Sequence, residues 1–379
     1  MALRRTHLYE YHRLHGRLVE FAGFEMPIWF EGIIPEHNAV RNSVGIFDTS
    51  HMGRASVTGE GAEELLDYLL TNDISRLEPM RGCYTLMCNE QGGIKDDLIA
   101  YRLSENHFFL VYNASNREKD YNWILKHSRD FDVEVRDLSD SVAMMAVQGP
   151  RAEEALQGIT SEPLSEVGRF HCREVIIGGQ RALIARTGYT GEDGFEIYLW
   201  DTPLSQPSKA LDLWGKILSA GRKFGIKPCG LGARDSLRLE AGMPLYGNDI
   251  DEETNPLEAR LRFAVKFKKK RPFIGKEALL RIRKEGVKRR RVGIRMVERG
   301  IPRHGYEIWK EGERIGYVTS GGFSPTLNAG IAMGYVPTEY SKLGTEVEVK
   351  IRRRLVRGKI VKFHPFYDET KYGYRREKR

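Results

Sequence analysis

Two periodicities of apolar residues divide the chain into predicted helices and strands. Helical spacing is clearest in residues 61–70, where Leu65, Leu66 and Leu69 share one face. The same spacing predicts helices at residues 7–15, 35–44, 115–129, 209–223, 231–241 and 276–284. Alternating or continuous apolar stretches predict strands at residues 46–57, 83–89, 94–103, 107–113, 142–148, 172–177, 182–186 and 195–200. This mixture, with short turns between successive strands, predicts an α+β protein.

The pattern changes near residues 270–290, where helices give way to short strands with regularly spaced glycines up to Phe363. Such spacing is typical of a β-barrel or sandwich. The net charge of +8 is divided at the same boundary. Residues 1–260 hold 28 basic and 40 acidic residues, whereas residues 261–379 hold 32 basic and 12 acidic residues. We therefore expect an acidic α+β body followed by a separate, strongly basic β domain.

Composition excludes several classes of protein. The 379 residues are 41% hydrophobic and the apolar residues are spread along the chain, which argues against disorder. The longest apolar runs are about six residues, against roughly 20 for a membrane-spanning helix. The first residues lack the apolar core of a secretory signal, so a cytoplasmic location is expected. Four scattered cysteines fit neither a disulfide framework nor a four-cysteine zinc site.

Common catalytic signatures are missing from the sequence. It contains no GxxxxGK[ST] phosphate loop, no HExxH metal helix and no GxSxG nucleophile elbow. The basic runs at residues 266–271 and 287–295 would suit a nucleic-acid-binding protein, although no recognised nucleic-acid module accompanies them. Nucleic-acid binding therefore stays open as the less favoured alternative function.

Two adjacent acids, Asp96 and Asp97, lie on a predicted strand in the segment GGIKDDLIAY. Neighbouring strand residues point to opposite faces, so only one of these acids can enter a given pocket. Asp97 shares its face with Ile99 and Tyr101, where an ionised carboxylate needs specific hydrogen bonds. From the residues alone, an edge strand with one solvated acid is slightly favoured over a pocket carboxylate.

Two further segments combine charged residues with glycines. In RTGYTGEDGFEIYL, residues 186–199, three glycines surround Tyr189 and lead into a strand that holds Glu196 between apolar neighbours. A surface carboxylate and a pocket carboxylate are equally consistent with that position. On the predicted helix GLGARDSLRLEAG, Arg234 and Arg238 share a face. That face is either an ordinary ion-paired surface or the cationic wall of a cleft.

Together and in this order, these segments resemble the T-protein of the glycine cleavage system, a tetrahydrofolate-dependent aminomethyltransferase. The matching motifs are FAGFEMPIWF, VRNSVGIFDTSHMG, GGIKDDL, MAVQGP, RTGYTGEDGFE, GLGARDSLRLEAG, TSGGFSPTL and the PFY near the C-terminus. Each motif is weak alone. Eight in register over more than three hundred residues make the resemblance specific.

The resemblance implies a fold and a reaction. The fold is a three-domain cloverleaf of antiparallel sheets and helices around a central folate channel, with a C-terminal β-barrel like a jelly roll. The expected domains are residues 1–53 with 140–255, residues 54–139 with 256–280, and residues 281–379. The reaction moves a methylene carbon from the S-aminomethyldihydrolipoyl arm of the H-protein to tetrahydrofolate. It yields 5,10-methylenetetrahydrofolate, ammonia and dihydrolipoyl H-protein, with no metal or flavin expected.

The resemblance also implies partners. These are the lipoylated H-protein and, functionally, the glycine decarboxylase P-protein and the dihydrolipoamide dehydrogenase L-protein, without nucleic acid or membrane. Whether the chain forms a homodimer is left open. Other folate proteins of the superfamily, serving iron–sulfur assembly or sarcosine-type demethylation, are alternatives. We expect the basic C-terminal region to attract polyglutamate tails of folate and an acidic H-protein surface.

The resemblance assigns site residues position by position. Asp97 matches the family's key acid, which orients the folate and assists its nitrogen nucleophile. Glu196 matches the pterin-binding carboxylate, and Arg234 matches an arginine of the folate site. The other matched positions are Tyr84, Asn113 and Tyr189 in the channel, Tyr372 and Arg376 as alternatives for one contact from the tail, and Arg303 as an accessory residue.

Overall fold

A computed structural model describes residues 2–375 of the chain, so Arg376 lies outside the described residues. The strands are β1 Arg17–Phe21, β2 Phe24–Trp29, β3 Gly45–Asp48, β4 Gly53–Thr58, β5 Arg81–Cys88, β6 Ile94–Ser104, β7 His107–Tyr112, β8 Glu134–Asp137, β9 Ala143–Gln148, β10 Cys172–Ile177, β11 Gln180–Ala185, β12 Gly194–Leu199, β13 Lys227–Pro228, β14 Arg289–Met296, β15 Glu307–Lys310, β16 Glu313–Ser324, β17 Ala329–Pro337, β18 Glu346–Ile351 and β19 Arg354–Val361. The α-helices are α1 Tyr9–His15, α2 Ile33–Asn42, α3 Ala62–Leu69, α4 Arg117–Ser128, α5 Ala152–Gln157, α6 Ser208–Gly221, α7 Leu231–Glu240 and α8 Lys276–Glu285.

The first sheet has the strand order β10, β11, β12, β9, β3, β13, and its pairs are antiparallel except for β3 with β13. Every residue of β9 is buried because both of its faces are covered. Leu213 and Trp214 of α6 pack with Val147 on one face. On the other face, Met144 belongs to a cluster shared with the second sheet.

The second sheet has the antiparallel order β5, β6, β7, β4, β8. One face is covered by α3 and α4, whose leucines and Ile124 pack against Phe108 and Leu110. The other face carries Tyr101 and Phe109, which pack against Tyr198 of the first sheet. The two sheets therefore meet face to face, and β6 and β12 both border the space between them.

The C-terminal strands close into a barrel with the order β14, β17, β16, β15, β18, β19. Its core holds Val292, Ile294, Val318 and Val349, which alternate with outward-facing residues along their strands. The predicted C-terminal β domain is thereby confirmed, as is the mixed α+β class with antiparallel sheets. The domain bounds given above stay a prediction.

Buried ion pairs and hydrogen bonds hold helix α7 against α2 and the barrel. Arg238 contacts Asp249 at 2.8 Å and donates to Ser320 of β16 at 2.9 Å. At the end of α7, Glu240 accepts from Arg41 of α2 at 3.0 Å and also from Ser324. Because removing one partner leaves a buried charge unpaired, these contacts hold the helix in a fixed position.

One predicted strand is wrong. Residues 46–57 form two strands, β3 and β4, which belong to different sheets. A turn at residues 49–52 separates them, and beside it the Asp48 carboxylate accepts hydrogen bonds from the Ser50 backbone, the Thr6 hydroxyl and His12. No helix in residues 2–375 is both long enough and apolar enough to cross a membrane.

Candidate functional site

Asp97 lies in a recess between β5, β6 and the end of β7. Tyr84 donates its hydroxyl to Asp97 Oδ2 at 2.9 Å, and Asn113 donates its side-chain amide to Asp97 Oδ1 at 2.8 Å. The Asp97 residue is 9% exposed, and Asp96 on the opposite strand face is fully buried. Because β6 lies between β5 and β7, the edge-strand interpretation of the two acids is wrong.

Burial is the main cause of an unusual proton affinity at Asp97. It raises the pKa of the Asp97 carboxyl to about 7, and the charge of neighbouring Asp96 acts in the same direction. The hydrogen bonds from Tyr84 and Asn113 lower this pKa by stabilising the ionised form, but they do not cancel the effect of burial. Asp97 can therefore change its protonation state near neutral pH, as suits a group that accepts and returns a proton.

Glu196 lies on β12, on the face that meets the second sheet. Its Oε2 accepts from Thr187 at 2.6 Å and from Tyr198 at 3.1 Å. Within the described part of the chain, no hydrogen bond is donated to Oε1. Glu196 is thus a nearly buried carboxylate, 7% exposed, held on one side by hydroxyls and with its second oxygen available to a ligand.

Arg234 and Tyr189 connect the surroundings of the two acids. The Arg234 guanidinium lies over the Tyr189 ring, 4.6 Å from its centroid. Tyr189 interacts electrostatically with Asp97, and Arg234 does so with Glu196. Among residues 2–375, no hydrogen bond or ion pair involves the half-buried Arg234 guanidinium, in contrast to Arg238 on the same helix. Burial lowers the pKa of Arg234.

The glycines around Tyr189 allow this close packing. Gly191 has φ +80°, and a Cβ there would lie 2.2 Å from the Tyr367 hydroxyl oxygen. A Cβ at Gly188 would overlap the Gln148 side chain at 1.9 Å. A side chain at position 191 would therefore be strained and would overlap Tyr367, whereas one at position 188 would displace the Gln148 amide. The turn holds Tyr189 beside α7.

The two remaining predicted residues, Tyr372 and Arg303, lie in different segments of the chain. The Tyr372 ring packs edge-on against Tyr367, near the Gly191 turn. Arg303 is exposed on the loop between β14 and β15. Residues 2–375 contain no cluster of three or more His, Cys, Asp or Glu side chains arranged to hold a metal ion.

Comparisons with known proteins agree over nearly the whole chain. A family model described as "GCVT N-terminal domain" matches residues 8–269, and one described as "Glycine cleavage T-protein C-terminal barrel domain" matches residues 289–368. The chain belongs to the glycine cleavage T-protein family. It is an aminomethyltransferase, as the resemblance in the sequence implied.

Individual relatives of this T-protein family extend the agreement. Proteins named Aminomethyltransferase from Clostridium botulinum (strain Loch Maree / Type A3) and Thermoanaerobacter sp. (strain X514) are each 49% identical, and the match covers 95% of this chain and 96% of each relative. The crystal structure of glycine cleavage system aminomethyltransferase T from Bartonella henselae is 38% identical with a TM-score of 0.89, covering 98% of this chain and 99% of that one. These matches favour the T-protein function over the alternatives.

Reasoning from the sequence missed several residues of this candidate site. Thr187 and Tyr198 hold Glu196, and Tyr101 supplies a third hydroxyl 3.5 Å from Glu196 Oε2. The period-2 alternation that places Tyr198 on the face of Glu196 was a usable signal. Phe263 was also missed: it is 61% exposed, and its ring stacks on Tyr84 with centroids 5.8 Å apart. Because residues 84 and 263 are distant in sequence, only the tertiary structure reveals that contact.

Proposed function

We propose that this chain transfers the methylene carbon of an aminomethyl group, carried on the dihydrolipoyl arm of an H-protein, to tetrahydrofolate. The observation that supports this proposal is that the stacked pair of Arg234 and Tyr189 connects the surroundings of two nearly buried acids. One is Asp97, whose pKa burial raises to about 7, and the other is Glu196, which keeps one oxygen available. A carboxylate can accept hydrogen bonds from the amino group and ring N–H of a pterin edge. The donors Thr187 and Tyr198 would hold Glu196 in the orientation that this contact needs.

In the proposed reaction, two C–N bonds to the folate form while the C–S and C–N bonds of the aminomethyl group break. The two protons lost from the folate nitrogens leave with the dihydrolipoyl thiol and with ammonia. Ionised Asp97 would accept a proton from the attacking amine and return it to a leaving group. Its negative charge would also stabilise the cationic character that develops at the transferred carbon.

Arg234 and Tyr189 would form the wall between the two acids, with the guanidinium stacked on the phenol ring. The stacked pair of Tyr84 and Phe263 offers an aromatic surface on the outer side of Asp97. Tyr372 and Arg303 are proposed only as peripheral residues. A cytoplasmic location remains the expectation from the sequence.

The test is a coupled assay with aminomethylated H-protein and tetrahydrofolate, in which ammonia and 5,10-methylenetetrahydrofolate are measured together. We expect equal amounts of both products and a requirement for both substrates. Methylenetetrahydrofolate formed from sarcosine or dimethylglycine, with no turnover of H-protein, would instead favour the superfamily alternatives.

A further inference from the structure

A second pair of acids lies behind Asp97, where helix α4 packs on the second sheet. Asp96 on β6 and Asp120 on α4 are both 0% exposed, and Asp96 is the neighbouring group that acts most strongly on the Asp120 carboxyl. Neither oxygen of Asp120 accepts a hydrogen bond from an N–H or O–H group of residues 2–375. Two buried carboxylates in contact cannot both be ionised without a large electrostatic penalty. One proton must therefore be shared between them.

The donors around the pair show which acid holds the proton. Asp96 accepts three hydrogen bonds: 2.8 Å from the Asn113 amide, 3.0 Å from the Asn113 backbone and 2.8 Å from the Asn116 amide. Three donors stabilise an ionised carboxylate. By contrast, no N–H or O–H of any other residue among 2–375 donates to either Asp120 oxygen. This difference in donors favours the proton on Asp120, from which it could be donated to Asp96.

The other charged or titratable groups that face Asp120 do not supply a positive charge that would compensate its ionised form. Lys95 of β6 and Lys119 of α4 interact with Asp120 electrostatically, but both are paired with Glu252, at 3.1 Å and 3.4 Å. The phenols Tyr112 of β7 and Tyr246 of the loop after α7 have raised pKa values, mainly through burial, so they are neutral. Burial, followed by the charge of Asp96, raises the pKa of Asp120.

The Asn113 side chain links the pair of Asp96 and Asp120 to Asp97. The Asn113 amide donates to Asp96 Oδ1 and to Asp97 Oδ1, each at 2.8 Å. We propose that Asp120 is a positioning residue of the transfer reaction, whose protonated carboxyl fixes Asp96 and thereby holds Asn113 against Asp97. This inference rests on the proposed function for its effect on turnover, whereas the location of the proton does not depend on it.

The experiment compares the native protein with Asp120→Asn and Asp120→Ala by two readouts. The first is the titration of the Asp carboxyl ¹³C resonances in the protein without substrates, assigned by loss of single signals in Asp→Asn variants. The second is the pH dependence of kcat for aminomethyl transfer. Asp67, a buried acid of α3 paired with Lys269 at 3.0 Å, supplies the matched control Asp67→Asn.

We expect the Asp120 resonance of the native protein to report a protonated acid at pH 7. Asp120→Asn keeps a donor toward Asp96 and changes no charge, so the Asp97 midpoint should stay within about 0.3 unit of the native value. Asp120→Ala should lower kcat about tenfold or more with little change in KM, because Asn113 loses its fixed orientation. Asp67→Asn should leave kcat and the Asp97 midpoint unchanged.

Three results would overturn the proposal. An ionised Asp120 resonance at pH 7 would contradict the proton assignment, as would a fall in the Asp97 midpoint in Asp120→Asn, since that fall means a negative charge was removed. An Asp120→Ala variant that is less stable but keeps the native kcat and the native Asp97 midpoint would show that Asp120 has only a structural role. If Asp120→Ala does not fold, the Asp120 resonance of the native protein and the Asp97 midpoint in Asp120→Asn still test the proton assignment. Without that assignment the proposal fails. If the native protein shows no transfer at all, the resonance data judge this inference separately from the proposed function.

Discussion

The Tyr84 hydroxyl donates to Asp97 Oδ2 at 2.9 Å, and this bond opposes the effect of burial on the carboxyl. Burial favours the protonated acid, whereas a hydrogen bond to the carboxylate favours the ionised form. The balance places the pKa of Asp97 at about 7. The contact therefore bears on the pH at which the site becomes active.

Activity should depend on the ionisation of Asp97. Because the ionised form accepts the proton, kcat/KM for transfer should rise with pH through a midpoint near the pKa of about 7. Tyr84→Phe removes a donor that lowers this pKa, so the midpoint should move up by about one unit. Tyr121→Phe, which removes a hydroxyl bonded to the Val135 backbone in the same sheet, is the control. A midpoint that stays in place or falls in Tyr84→Phe would contradict the assignment.

Replacing the buried acid should stabilise the fold in alkaline solution. The pKa of Asp97 is raised in the folded protein, so its favourable contribution to stability is complete below the unfolded pKa near 3.8 and is lost as pH rises through about 7. Above that pH the folded protein must hold a buried, ionised carboxylate, which is unfavourable. Asp97→Asn removes this cost and should raise the free energy of unfolding at pH 8 by about 1–3 kcal/mol. The gain should disappear at pH 4. Urea unfolding at both pH values measures it, and an equal change at both would rule out this cause.

Glu196 should contribute to folate binding rather than to stability. Glu196→Gln replaces an acceptor oxygen by a donor, which should weaken tetrahydrofolate binding about tenfold or more. Glu174→Gln is the matched control, because Glu174 lies on β10 of the same sheet with its side chain partly exposed. Isothermal titration calorimetry of the native protein and both variants gives the affinities. Native affinity in Glu196→Gln would remove this residue from the site.

The basic C-terminal region should make carrier recognition sensitive to salt. The KM for aminomethylated H-protein should rise several-fold between low and high ionic strength, because exposed charges are screened. Lys270→Glu, at an exposed position of the basic run at residues 266–271, should raise this KM, whereas Lys209→Glu, exposed at the start of α6 in the acidic body, should not. If KM is indifferent to ionic strength, the charge asymmetry has another role.

The local sequence pattern predicted most helices and strands, and it predicted that Asp96 and Asp97 lie on opposite faces of one strand. The alternation along β6 correctly separated Asp96 from Asp97, because a strand's side-chain period is local. It could not show that β6 is an inner strand, since sheet order depends on β7 returning beside it. The break between β3 and β4 was missed for a similar reason: the turn depends on Thr6 and His12 contacting Asp48 from another element.

The candidate site was predicted by resemblance and only partly by chemistry. Asp97, Glu196 and Arg234 carried charges in apolar or glycine-rich contexts, so the sequence marked them. Their partners are uncharged or distant: Thr187 and Tyr198 hold Glu196, and Asp120 approaches Asp96 only when α4 packs on the sheet. Contacts of that kind follow from tertiary packing and leave little local signal.

Single-turnover transfer from aminomethylated H-protein to tetrahydrofolate, comparing the native protein with Asp97→Asn at pH 8, tests the role of Asp97. Asparagine keeps the size of the side chain and loses the proton acceptor and the charge. We predict release of ammonia and methylenetetrahydrofolate by the native protein and a rate at least about 100-fold lower in the variant, with folate affinity changed far less. A variant that transfers at the native rate would contradict the proposed mechanism.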